Sequence, residues 1–146
     1  MDAISAAAAR LKVEVLPFET EGVKDFEKAF AAMVKQRAGG LILPSGSVLL
    51  SNASAIAALA LKHRLPSASS PEFAEAGSLL GYGINVPDMF RRAAVNVDKI
   101  FKGAKPGDIP IEQPTTFDFV VNLKTAKALG IKLPGSILLQ ATRVIE

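Results

Sequence analysis

Apolar positions alternate with polar ones in some stretches of this chain and recur every third or fourth residue in others, the signatures of strand and helix. Ile4, Ala7, Ala8 and Leu11 keep helical spacing over residues 2–10, and Leu11, Val13 and Val15 then alternate with Lys12 and Glu14, predicting a strand over 11–18. Phe26, Phe30, Met33 and Val34 form one stripe of a helix over 23–37, which Gly39 and Gly40 stop. Residues 40–44 are a short continuous apolar run, as expected of a strand buried on both faces. Ser51 or Asn52 then caps a helix with Ile56, Leu59 and Ala60 on one side, and residues 65–69 and 78–84 read as two further strands.

The last third begins with Asn85 as a cap and Pro87 in the first turn of a long helix over 86–102. Phe90, Ala93, Ala94, Val97 and Phe101 line its apolar side, and Asp88 and Arg92 are spaced to pair one turn apart. The Pro- and Gly-rich stretch 103–114 excludes regular structure throughout. A strand over 117–123 and a short helix over 124–129 follow, with Gly130 as its stop and an irregular or short-helical tail to Glu146.

Strands alternating with helices predict an α/β fold: a Rossmann-like, mainly parallel sheet flanked by helices. In such sheets ligands sit beyond the carboxyl ends of the strands. The residues expected there are Ser45 and Ser47, then Ser69, Ser70 and Glu72, then Tyr82 and Gly83.

Composition adjusts this picture only in places. With 146 residues, 49% of them apolar, the chain can bury a single core, built with no Trp and one Tyr. Zero Cys excludes disulfides, thiolate metal sites and cysteine nucleophiles. The net charge of +3 invites a nucleic-acid reading. Yet Lys35, Arg37, Lys62, Arg64, Lys99, Lys102 and Lys127 gather near helix ends, where cations complement the helix dipole, and not along one stripe interleaved with aromatics. No apolar run approaches the roughly 20 residues needed to span a bilayer, and the amino terminus lacks the pattern of a signal peptide.

Catalytic motifs are missing. No phosphate-binding GxxxxGK[ST] loop occurs, and Gly81-Tyr82-Gly83 lacks the third glycine of a dinucleotide fingerprint, with Val86 in its place. The Ser-rich turns lack a nucleophile elbow. One His, no Cys and scattered carboxylates predict no metal and no cofactor, and His63, at a helix end, reads as a surface or capping residue. Glu72 has two readings: a carboxylate that holds a ligand ammonium, or an N-terminal helix charge in SPEFAEAG. Tyr82 likewise either meets a ligand or fills the core with its hydroxyl at the edge.

Three segments are similar to the bacterial ABC-transporter substrate-binding proteins of the tryptophan-binding type. They are LALKHRLPSASSPEFAEAGSLLGYGIN (59–85), DMFRRAAVNVDKIFKGAKPGDIPIEQP (88–114) and FDFVVNLKTAKALGIKLP (117–134). The resemblance implies one lobe of a two-lobed periplasmic-binding-protein fold, the carboxy-terminal half only, starting after the first strand of the second lobe. It assigns 1–80 and 117–146 to the second-lobe core, and 81–116 to hinge crossings and a helix of the first lobe. Gly81, Gly83, Asn85 and Pro114 are then hinge residues, while Ser45, Ser47, Ser69, Ser70, Glu72 and Tyr82 contact ligand.

The implied activity is non-catalytic capture of a small polar ligand, an amino acid or an aromatic or organic acid, for an ABC permease in the periplasm. Where the family pattern has a Thr-Asp-Asn run this chain has Ser45-Gly46-Ser47, which loses an acidic group. The apolar stripe of 86–102, without its first-lobe partner, implies a homodimer through that helix. The alternatives are a dimerising fragment without transport activity and a Ser-dependent hydrolase.

Overall fold

The computed structural model of the protein describes residues 2–146. Helix α1 (Asp2–Leu11) and an irregular stretch lead to α2 (Phe26–Lys35), β1 (Leu41–Ile42), α3 (Ser47–Ser51), α4 (Ala53–Lys62) and β2 (Ser67–Ser69). Then come α5 (Pro71–Glu75), β3 (Leu80–Ile84), α6 (Val86–Phe101), β4 (Phe117–Asn122), α7 (Leu123–Leu129), α8 (Gly135–Gln140) and β5 (Arg143–Ile145). The five strands form one sheet in chain order. Pairings β1–β2, β2–β3 and β4–β5 are parallel, and β3–β4 is antiparallel, with Tyr82 opposite Phe119 and Ile84 opposite Phe117. The fold is therefore the expected mostly parallel α/β sheet.

Of the stripe read from the α2 sequence, three residues pack and Val34 stays 46% exposed. Phe26, Phe30 and Met33 bury against Ala53, Ile56 and Ala60 of α4, with Leu65 and Phe73 completing the cluster. Val120 and Val121 are both fully buried, so β4 is covered on both faces at its carboxyl half. Arg37 and Arg64 hold left-handed conformations just past α2 and α4 (φ 58° and 55°). There Ala38 N–H reaches Met33 O and Leu65 N–H reaches Ala60 O, closing the helix ends as glycine usually does. Lys35, Lys62, Lys99 and Lys127 lie in the last turns of their helices, as expected for cations at the negative end of the dipole.

A buried polar clamp fixes the relation of α5 to the sheet. Asn122 is 4% exposed; its Nδ2 donates to Ala74 O (2.9 Å) and its Oδ1 accepts from Thr125 N (3.0 Å), capping α7. Thr125 Oγ1 donates to Gly77 O (2.7 Å). The Asn-Leu-Lys-Thr segment thus ties the end of α5 and the following turn to the start of α7.

Three expectations change. Residues 13–18 form no strand: Val13 N–H bonds back to Ala8 O, and alternation alone cannot make a ladder without a neighbour. The helix expected after Ser51 or Asn52 is present as α4, but a short α3 precedes it, and Asn52, at the N-cap position, turns its side chain back to Val48 O instead of capping α4. The tail holds α8 and a fifth strand, since β5 gains its order from the β4 register and not from its own three residues.

Helix α6 stands apart in kind. None of its 16 residues is buried. Its amino-terminal turn is fastened by polar contacts to the chain that returns toward β4. Asn85 N–H reaches Thr116 O (3.0 Å) and Asn85 Nδ2 reaches Asp118 Oδ2 (2.9 Å). Asp88 accepts from Arg92 (3.1 Å) and from Thr116 Oγ1 (3.2 Å), and Arg92 also contacts Thr115 and Glu112.

Candidate functional site

The carboxyl ends of β1 and β2 lie side by side because those strands are parallel and paired, Ile42 opposite Ala68. Ser69 ends β2, and its hydroxyl donates to Leu43 O at 3.1 Å, stitching the two strand ends together. Ser70 precedes α5, where Pro71 supplies the first helical position. The Ser70 hydroxyl donates to Glu72 Oε2 at 2.5 Å. All three side chains are half-buried. Ser45 and Ser47, in the turn after β1 and at the start of α3, are exposed.

Glycine brings α5 onto the sheet. A Cβ at Gly81 would lie 2.7 Å from Pro71 Cα and 2.8 Å from Ser70 O, and one at Gly83 would lie 3.0 Å from Pro71 Cδ. Both residues sit inside β3, paired with Val120 and Asp118. The missing side chains let the Ser70–Glu72 turn rest directly on the strand.

Strand alternation then sends Tyr82 to the opposite face of β3. It is 63% exposed, so the reading of Tyr82 as core filler gives way. Its ring stacks on Phe117 (centroids 5.9 Å apart, planes 5° apart) and meets Phe119 edge-on (6.4 Å). The fold brings Ser69, Ser70 and Glu72 together and separates them from Tyr82. The aromatic trio was missed in the sequence, although Phe117 and Phe119 share a face by the same two-residue period.

A hydroxyl has one proton. Those of Ser69 and Ser70 are committed within the protein, to Leu43 O and to Glu72, so the rim offers lone pairs and a carboxylate. That chemistry suits a donor-rich group such as an ammonium. Two open depressions lie elsewhere, one of about 360 Å³ beside Phe26 and Leu59 and one of about 420 Å³ between α6 and Ile109–Pro114. The rim is an open ledge.

His63 ends α4 and stacks on Phe30 (5.8 Å), at the amino end of β2. The serines lie at the carboxyl end of that strand, so no Ser–His pair is assembled there. Among the described residues no cluster of His, Asp and Glu could hold a metal ion, and no helix is long and apolar enough to cross a membrane.

The family described as ABC transporter substrate binding protein matches residues 1–145. This chain belongs to that family. No relative among the curated proteins matches it. Among solved structures, this substrate-binding family member is similar to a conserved domain protein from Vibrio cholerae O1 biovar eltor (TM-score 0.85, 19% identity, covering 98% of this chain and 48% of that one). It is also similar to an ABC domain in complex with L-Trp from Streptococcus pneumonia (TM-score 0.85, 24% identity, 99% and 49% covered). A third is a ligand-free, open substrate binding protein with adhesive properties from Clostridium difficile (TM-score 0.70, 21% identity, 99% and 48% covered). At these identities the likeness establishes the fold, that of a periplasmic-binding-protein lobe, and the chain spans about half the length of each structure.

Proposed function

We propose that this chain is the ligand-contacting lobe of a solute receptor for an ABC importer, capturing a small polar ligand outside the cytoplasmic membrane and presenting it unchanged to a permease. Family membership over residues 1–145 carries the reading, and the polar ledge at the carboxyl ends of parallel strands supports it. On this reading 1–80 and 117–146 are the second-lobe core, and 81–116 are hinge crossings and a helix of the first lobe. The hinge residues on this reading are Gly81, Gly83, Asn85 and Pro114, the two glycines within β3 and the other two at the crossings. The reading extends to assembly: the chain forms a homodimer through α6.

Glu72 and the serine lone pairs favour a ligand with an ammonium group, and one structural relative is a complex with L-Trp. Aromatic amino acids are therefore the first ligands to test, with aromatic and organic acids as the alternative. An open ledge buries only part of a ligand, so affinity is weak. A thermal-shift panel on the 146-residue chain tests this: L-tryptophan and L-tyrosine raise the midpoint, their des-amino acids do so less, and Glu72→Gln removes the difference. Equal shifts for amines and matched acids, or chemical conversion of any ligand, would overturn the reading.

A further inference from the structure

Helix α5 carries Glu72 on only five residues, too few to hold a position by themselves. Phe73 and Ala74 are 1% and 0% exposed and seat the helix on the core. Apolar burial is non-directional, so it sets how deep α5 lies more firmly than how it is turned about its axis. Hydrogen bonds are directional. Two of them reach the carboxyl end of α5 from the β4–α7 junction, 48 residues along the chain: Asn122 Nδ2 to Ala74 O at 2.9 Å and Thr125 Oγ1 to Gly77 O at 2.7 Å. Both donors are buried, 4% and 8% exposed, so water competes little for those carbonyls. A third tie, Arg143 to Glu75, is about half exposed at both ends and holds less firmly.

The junction is itself fixed. Asn122 N–H bonds Leu79 O (3.0 Å) and its Oδ1 accepts from Thr125 N, so the clamp shares one frame with the sheet and α7. At the other end of α5, Gly81 lets Ser70 and Pro71 rest on β3. Glu72 lies between these two anchorages. Ser70 engages its Oε2 (2.5 Å), and among the described residues nothing donates to Oε1.

We propose that Asn122 and Thr125 are positioning residues for ligand selection: by holding the carboxyl end of α5 they aim the Glu72 carboxylate at a ligand's ammonium group. The proposal rests on the reading of the β2–α5 ledge as the ligand site and adds what sets its preference for amines. A charge-assisted hydrogen bond depends on short distance and alignment. A small turn of α5 therefore costs the ammonium contact while sparing contacts to the rest of the ligand.

Paired titrations of the 146-residue chain with L-tryptophan and with indole-3-propionate, which lacks only the amino group, test the proposal through amide chemical shifts. Thr125→Val keeps the side-chain volume and removes the hydroxyl, and Asn122→Asp keeps the α7 cap and removes the Nδ2 donor. Both are expected to lose the preference for the amine. Thr125→Ser is expected to retain it, as is Met33→Ala, which weakens the core at α2 without touching the clamp. In the ligand-free chain, the Ser70 and Glu72 amide resonances move in Thr125→Val and stay in place in Thr125→Ser. If Asn122→Asp fails to fold, Thr125→Val decides alone. A preference that survives Thr125→Val, or that Met33→Ala loses as well, overturns the positioning role but leaves the ledge standing where Glu72→Gln abolishes the preference. A wild-type chain without amine preference, or one that Glu72→Gln leaves unchanged, overturns the ledge reading and the positioning role with it.

Discussion

Helices α4 and α6 are each apolar along one side, yet they meet opposite fates. α4 buries Ala53, Ile56, Ala57 and Ala60, while α6, longer by six residues, buries none. The difference is one of partners. α4 packs against α2 and α5 and shares a cluster with Phe26, Phe30 and Phe73. α6 leaves the sheet at Asn85, and the contacts that hold its first turn are polar ones with Glu112, Thr115 and Thr116. A hydrophobic stripe states that a surface wants cover; it does not say what the cover is.

The largest expected effect comes from removing a phenyl ring in each region. Phe73→Ala, at a site 1% exposed, is expected to cost about 3–5 kcal/mol in urea unfolding. Phe101→Ala, at a site 85% exposed, is expected to change the stability of the dilute monomer by less than about 0.5 kcal/mol. Similar losses at both sites would break the contrast and mean that α6 packs on the lobe in solution.

Next is Gly81→Ala. Its new methyl would meet the backbone of Pro71 and Ser70 at 2.7–2.8 Å, and forcing α5 aside is expected to cost about 1–3 kcal/mol. The same displacement moves Ser70 and Glu72, so ligand shifts weaken in step. Gly107→Ala, where an added methyl meets nothing within 4 Å, is the control within 81–116 and should be nearly silent. Comparable to Gly81→Ala is Asn122→Ala, which removes the α7 cap and leaves Ala74 O without its donor. A loss of about 2 kcal/mol is expected. Thermal melts of both variants check these values.

Much of the lobe was legible because its signals are local. The strands at 78–84 and 117–123 and the Asn85 cap are read from neighbours in sequence, whereas the run at 40–44, expected as a strand buried on both faces, gives only the two-residue edge strand β1 with Ile42 76% exposed. The Asn85 side chain does accept from Asp88 N, at 2.8 Å. The 11–18 alternation misled because a strand exists only beside another strand, and Leu11 and Val13 are 74% and 60% exposed. β5 was invisible for the converse reason: three residues become a strand through the Val120–Arg143 register.

At the candidate site, the small polar residues at strand ends could be listed from sequence. Their hydrogen-bond commitments could not, because Ser69 answers to Leu43, 26 residues away. Nor could the covering of the Gly81–Gly83 face by α5, which together with the strand's alternation sets Tyr82 away from Glu72.

The central claim is that the lobe meets its ligand at the β2–α5 turn. A titration of isotopically labelled chain with L-tryptophan, followed by amide chemical shifts, tests it most directly. The account predicts progressive shifts at Ser69, Ser70 and Glu72, abolished in Glu72→Gln. Shifts confined to α6 and Ile109–Pro114, or persisting unchanged in Glu72→Gln, would contradict it.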